Sequence, residues 1–464
     1  MCGIIGVYNS PEASVLCYLG MYALQHRGQE SAGIVSTDGK IAYRHHGMGL
    51  VADVFSDRTI LAKLTGHSAL GHNRYSTTGG SHIANVQPLL FNYRGGKLAI
   101  SHNGNLVNLS DTRQQLIDDG AIFQTTSDTE IIVHLIARSR RETLAEKAVE
   151  ALQRVEGAYS LLILTQDGLI AARDPNGFRP LCMGTMGETT IFASESCAFD
   201  LIGADYQRDI EPGELVSVDE HGMASYQISH SVRKRHCIFE YVYFSRPDSR
   251  IYSDNVDKTR RKLGKNLAKE APCPDADIVI SVPDSSNTAA LGYARESGIR
   301  FEIGLIRNHY VGRSFIHPTQ SMRDMAVKIK FNTVEGVLNG KKVVVVEDSI
   351  VRGTTLKSLT MLLREAGAKE VHIRVSSPPI KHPCFYGLDF PEKDDLIANN
   401  MTIEEMREYL GVDSLQYLSI DGMISASDLQ PTDFCTACFS GEYPIKIKEE
   451  GSTDKTRYEM EEIV

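Results

Sequence analysis

The chain has no run of eighteen apolar residues, and its start has neither a basic lead nor an apolar stretch long enough for a secretory signal. A cytoplasmic protein without a membrane partner is expected. Positive charge is also in short supply, with 49 Lys plus Arg against 59 Asp plus Glu and a net charge of −10. A dedicated nucleic-acid binder usually presents a basic face, so no nucleic-acid partner is expected, although local basic loops can still take small anions. Cysteine comes to nine, an odd count in a long chain without a signal. That argues against a disulfide framework and leaves catalysis, metal binding or simple burial. No internal repeat or low-complexity block interrupts the 464 residues, which suffice for two or three domains with cores of their own.

Through the first half, short apolar runs alternate with Gly, Asn and Asp turns: Cys2 to Tyr8, Ile34 to Ser36, Ala69 to Gly71, Leu98 to Ser101 and Ser160 to Leu164. These read as strands. Helical spacing appears at Val15 to Gln25 and at Asp128 to Arg138, so a layered α+β domain is expected over residues 2–235. A polar, basic stretch from Ser229 to Arg235 marks the boundary. From Asp277, strands at Ile278 to Val282, Ile303 to Arg307, Val343 to Val346 and Val371 to Val375 alternate with helices at Thr288 to Glu296 and Leu356 to Ala366. That order predicts an α/β domain with a mainly parallel sheet over residues 245–443, and four successive valines suit a strand buried on both faces. Residues 444–464 read as a charged, frayed tail.

Cys2 directly follows Met1, so loss of one residue gives a thiol and a free α-amine to the same amino acid. An α-amine titrates near neutrality and can take the thiol proton, and thiolate is the reactive form. Gly71 to Gly79 contains Arg74, whose fork suits a carboxylate. Ser101-His102-Asn103-Gly104-Asn105 offers an amide NH2 and an unobstructed backbone N–H, two donors suited to a tetrahedral oxyanion. Asp128 stands at a helix start and could take an amino group. Alone, each has an ordinary reading: a surface ion pair for Arg74, a type I′ turn for Asn103-Gly104, an N-cap for Asp128.

Together with Cys2-Gly3-Ile4, His26-Arg27-Gly28 and Ser127-Asp128, these clusters resemble in order and spacing the class II glutamine amidotransferases of the N-terminal nucleophile hydrolase fold, an αββα sandwich. The resemblance implies that Cys2, freed of Met1, attacks the glutamine amide and that Asn103 and Gly104 hold the oxyanion. It implies that Arg74 and Asp128 grip the glutamine α-carboxylate and α-amine, with Arg27 and Thr77 lining the pocket.

In the second half, Val343 to Thr355 joins a strand to a helix through Glu347-Asp348 and a small-residue loop. Such a loop presents backbone N–H groups and hydroxyls at a helix N-terminus, a site for phosphate, while the two carboxylates suit ribose hydroxyls or positive charge at an anomeric carbon. The segment resembles the phosphoribosylpyrophosphate fingerprint of type I phosphoribosyltransferases. That resemblance implies ribose contacts from Glu347 and Asp348 and a phosphate cradle of Ser349, Arg352, Gly353, Thr354 and Thr355. Mg²⁺ would ride mainly on pyrophosphate, near Ser285, Glu347 and Asp348. A basic segment from Arg307 through Lys330 contains Tyr310 and Arg313 and has the character of a lid.

An amide-hydrolysing domain followed by a phosphoribosyltransferase domain resembles the amidophosphoribosyltransferase family. The glucosamine 6-phosphate synthases and asparagine synthetases share such a first domain, but residues 343–355 fit neither a sugar isomerase nor an ATP pyrophosphatase loop. A non-enzymatic regulator would be signalled by a missing catalytic residue, and none is missing. The resemblance implies glutamine and phosphoribosylpyrophosphate as substrates, feedback inhibition by purine nucleotides of the AMP or GMP type, and a homotetramer or homodimer. Cys435-Thr436-Ala437-Cys438, Cys237 and Cys384 could bind Zn²⁺ or an iron–sulfur cluster on spacing alone. Their positions are similar to the ligands of the subgroup that holds a [4Fe-4S] cluster. Cys17, Cys182, Cys197 and Cys273 read as buried thiols.

Overall fold

The computed structural model describes residues 1–75, 79–310, 328–390 and 392–448. Thr77, Arg313 with the rest of 311–327, and the tail from 449 onward lie outside the described residues.

Two antiparallel sheets make up the first domain. The seven-stranded sheet centres on Gly3–Tyr8, flanked by Ser68–Arg74 and Thr189–Ala193. The six-stranded sheet centres on Glu156–Thr165, flanked by Gly96–Val107 and Gly168–Arg173. Alternation along each strand divides the core into layers. Ile4, Leu70, Leu162, Leu169 and Phe192 fill the space between sheets. Ile5 and Val7 turn outward against the helices Ala13–Ala23 and Cys197–Ile202. On the opposite outer face, Ile100, Leu161 and Ile163 pack on Thr129–Arg138 and Leu144–Leu152. The result is helix, sheet, sheet, helix, the sandwich expected from the motifs.

The second domain has a four-stranded, wholly parallel sheet in the order Ile278–Ser281, Lys342–Glu347, Glu370–Val375, Ser414–Tyr417. Val344 and Val346 face one core, Val343 and Val345 the other, and all four are fully buried. Two expectations are corrected. The Ile303 to Arg307 segment is no member of this sheet: Leu305–Arg307 pairs antiparallel with Phe331–Thr333 in a separate two-stranded sheet. A short apolar run carries no label for its partner, so periodicity could not separate the two placements. The tail's start is not frayed, because Asn108 Nδ2 donates to Lys446 O and its Oδ1 accepts from Lys448 N, fixing 446–448 against the first domain.

The domain junction is shared. His236–Cys237 pairs in parallel with Phe434–Cys435, so the segment leaving the first domain is stitched to a late segment of the second domain, beyond its parallel sheet. Among the described residues no helix is long and apolar enough to cross a membrane.

Candidate active site

Register positions the amino-terminal site. Gly3 pairs with Asn73, which brings Cys2 to the end of the strand that carries Arg74. Tyr75 N lies 3.5 Å from Cys2 Sγ. From the facing sheet, Asn103 Oδ1 accepts the Cys2 N–H at 3.0 Å. Asn103 Nδ2 is buried and, among the described residues, makes no hydrogen bond. A buried amide NH2 left unsatisfied is costly unless a ligand completes it.

Asn103-Gly104 is not a turn. It lies inside the strand Gly96–Val107, with Asn103 opposite Ser160 and Gly104 opposite Tyr159. Gly104 has φ +155°, and a Cβ there would lie 2.0 Å from Ala158 O, so only glycine lets the strand pass. Asp128 makes no cap for its own helix; its carboxylate accepts from Leu106 N at 2.8 Å and stands 3.8 Å from His102 Nδ1. Arg74 is buried, donating to Glu30 at 2.7 Å and to the Gly79 carbonyl at 2.9 Å. Its guanidinium is thus held from behind by Glu30, a residue the motif reading had passed over.

Arg27 departs from its expected place in the glutamine pocket. Its side chain is wholly buried; Nε donates to Cys2 O at 3.0 Å, Nη1 to Glu195 and Nη2 to Glu240 at 2.9 Å. Two carboxylates occupy the fork, and Nε holds the Cys2 backbone. Burial alone would lower its pKa, but Glu240 and Glu195 override that and keep it charged. Burial works against charge on Glu195 too, yet His26 and Arg27 hold its carboxyl well below the usual range. Burial pulls the Met1 amine down to about 5. Glu195 and Glu240 had been missed in the sequence; the available signal was a lone carboxylate in the aromatic run Phe239-Glu240-Tyr241-Val242-Tyr243.

The second site lies at the C-terminal ends of adjacent parallel strands, where ligands of such sheets bind. Glu347 ends one strand, and Ser349 to Gly353 leads into the helix Thr354–Glu365. Asp348 is buried, accepting from Ser349 Oγ at 2.6 Å; Ser285, from the neighbouring loop, also interacts with it. Glu347 Oε2 is shut off from solvent without a hydrogen-bond partner among the described residues. Burial raises the pKa of both carboxyls, and Asp348 raises that of Glu347 further. Arg352 is exposed, paired with Asp395 at 2.9 Å. Tyr310 is fully exposed beside the hairpin.

Cys237, Cys384, Cys435 and Cys438 line one hollow with Arg179 and Tyr386, its atom-free space about 310 Å³ with the opening included. All four are free thiols. Among the described residues no three His, Cys, Asp or Glu side chains converge on a point as a single metal ion requires. Cys17, Cys182, Cys197 and Cys273 are buried in the domain cores.

A thiol beside an amide donor left without a partner among the described residues, in an αββα sandwich joined to a parallel-sheet domain with an acidic pair and a small-residue loop, defines a glutamine amidotransferase fused to a phosphoribosyltransferase. The models of the glutamine amidotransferase domain and the phosphoribosyl transferase domain match residues 72–200 and 270–381. The amidophosphoribosyltransferase of Bacillus subtilis (strain 168) is 49% identical over 451 residues, covering 96% of this chain and 94% of that protein. The chloroplastic enzyme of Vigna aconitifolia is 50% identical over 446 residues, covering 96% and 91%. A solved structure of the allosteric regulatory enzyme of purine biosynthesis superposes with a TM-score of 0.92 at 48% identity, covering 97% of each chain. Another, the Bacillus subtilis glutamine phosphoribosylpyrophosphate amidotransferase complexed with ADP and GMP, gives 0.91 at 48% identity, covering 97% and 98%. The chain belongs to the amidophosphoribosyltransferase family. It carries out glutamine-dependent amidotransfer to phosphoribosylpyrophosphate in purine biosynthesis.

Proposed function

We propose that Cys2, after loss of Met1, is the nucleophile that opens glutamine, and that the carboxy-terminal site receives the ammonia without its entering bulk water. Thiolate attack on the amide carbon puts negative charge on the amide oxygen. Asn103 Nδ2 and the Gly104 N–H stabilise that charge, the leaving nitrogen takes its proton from the Cys2 amine, and water then releases glutamate. Arg74 and Asp128 hold the carboxylate and amine of glutamine. The observation that carries this reading is the buried Asn103 Nδ2, without a hydrogen-bond partner among the described residues, on the same amide group whose oxygen grips Cys2 N.

At the second site, Glu347 and Asp348 take the ribose hydroxyls while Ser349, Arg352, Gly353, Thr354 and Thr355 take the phosphate. Two carboxylates and the Ser285 hydroxyl form no closed cage, so the residues fit a Mg²⁺ that arrives with pyrophosphate oxygens; bound there, it would neutralise the leaving pyrophosphate. The hollow suits a [4Fe-4S] cluster held by Cys237, Cys384, Cys435 and Cys438. A body of several irons needs thiolates spread around it rather than converging on one point, and four cysteines line this hollow. Its contribution would be structural, tying the chain's end to the junction strand. Purine nucleotides are proposed as inhibitors because the 48% identical Bacillus subtilis enzyme was solved with ADP and GMP. Family resemblance supports a homo-oligomer in the cytoplasm.

The test separates the two sites. Cys2→Ala should abolish glutamine-dependent synthesis and keep synthesis from added ammonia, while Asp348→Asn should damage both. Equal losses in both assays for Cys2→Ala would sink the division of labour.

A further inference from the structure

The strand that carries Asn103 and Gly104 is not supported by its own domain alone. Residues 385–387, just beyond Cys384, lie across it. Asn105 Nδ2 donates to Phe385 O at 3.0 Å. Gly387, at φ +99°, sits so close that a Cβ would come within 2.9 Å of Gly104 C and 3.1 Å of its Cα. Between them, Tyr386 is buried: its ring stacks on Phe178 at 4.3 Å and its carbonyl accepts from Arg179 Nε at 2.9 Å. The chain leading to this segment leaves the parallel sheet at the second site, where Ser376 N donates to Glu347 O at 2.8 Å.

We propose that Asn105 and Gly387 are positioning residues for glutamine hydrolysis, through which the carboxy-terminal domain braces the strand bearing the oxyanion donors. The inference rests on the Asn103 and Gly104 roles proposed above. Alternate residues of a strand share a face, so fixing the Asn105 side chain fixes the plane from which Asn103 is presented. A glycine–glycine contact allows no slack: any side chain at 387 pushes Gly104, whose N–H is one of the two donors. Without the brace the donors stay present but wander, and catalysis by oriented donors falls steeply with small displacements. The carboxylate grip is independent of the brace, because Arg74 is held by Glu30, off this strand.

The experiment measures glutamate release and ammonia-dependent synthesis on the same full-length preparations of Asn105→Asp, Asn105→Ala and Gly387→Ala. Asn105→Asp is isosteric but turns an oxygen toward the Phe385 carbonyl. The expected result is a fall in kcat for glutamine of about 10- to 100-fold, with KM for glutamine and the ammonia-dependent rate each within about twofold of the parent. Asn103→Ala serves as the control. If it too hydrolyses glutamine normally, the oxyanion reading fails; if it loses activity while all three brace variants keep theirs, only the brace is overturned. A parallel fall in both activities, or insolubility of all three variants, also overturns the brace, because the residues would then hold the fold and not the donors.

Discussion

Replacing Asn103 by alanine removes two interactions at once, and their sizes are separable. The first is the Nδ2 donor, which has no partner among the described residues and is the group assigned to the oxyanion. Losing one such donor costs about 10²- to 10³-fold in kcat, or about 2.7–4 kcal/mol. The second is the 3.0 Å bond from Cys2 N to Oδ1. One hydrogen bond is worth about 1 kcal/mol, close to fivefold in rate if it is spent on holding the nucleophile. Asn103→Ala should therefore lower kcat for glutamine by roughly 500- to 5,000-fold with KM nearly unchanged, because neither interaction touches bound glutamine in its ground state. Glutamate and pyrophosphate are scored in one tube with glutamine, then pyrophosphate alone with ammonia as nitrogen source, where the variant should match the parent. A loss under tenfold, a rise in KM without a fall in kcat, or a parallel loss with ammonia would refute the assignment.

Anaerobically purified protein should be brown and hold about four iron atoms per chain, the content of a [4Fe-4S] centre, and zinc in place of iron would refute the cluster. Glu240→Gln, which breaks the buried pairing with Arg27 and Arg179, should cost about 3–5 kcal/mol of unfolding free energy in urea, and a cost under about 1 would show the pair to be dispensable. That contribution is present above the unfolded carboxyl value of about 4.3 and fades on acidification, because the folded pKa is depressed. Burial lowers the pKa of His72 to about 3, so its neutral form stabilises the fold above about 6.5 and that stability drains away as pH falls toward 3, by about 1.4 kcal/mol per pH unit. His72→Gln should remove that slope from the stability profile between pH 6 and 4, and an unchanged slope would place the proton elsewhere.

Much of the architecture was legible because each domain announces itself locally. Period-two alternation at Ile4, Ile5 and Val7, and the valine run from Val343, encode how many faces of a strand are buried. The candidate phosphoribosyl loop is also local: strand, acidic pair, small-residue loop and helix follow one another in the chain. What stayed hidden depends on distance in sequence. The motif reading placed Arg27 against glutamine because its partners Glu195 and Glu240 stand far downstream and fit no spacing rule. Leu305–Arg307 was assigned to the main sheet because its partner, Phe331–Thr333, lies beyond a long basic segment. Asn103-Gly104 suggested a turn from composition, whereas ten consecutive pairings with Glu156–Thr165 hold it in a strand.

The buried charges at the junction raise a question of purpose. Replacing a buried ion pair by apolar packing is often neutral or stabilising, so stability alone does not account for Arg27, Glu195, Glu240 and Arg179, all without exposed side-chain surface. Their geometry suggests placement instead. Arg27 holds Cys2 O, Arg179 holds Tyr386 O, and both guanidiniums pair with the same Glu240 carboxylate. One carboxylate therefore ties the Cys2 backbone to the segment that lies across the strand of Asn103 and Gly104. Hydrophobic contacts are non-directional and would tolerate a slip of several tenths of an ångström, whereas charged hydrogen bonds with fixed forks do not. A reaction that needs a thiol, two donors and a second active site in register gains more from that directionality than from a few further kilocalories of burial.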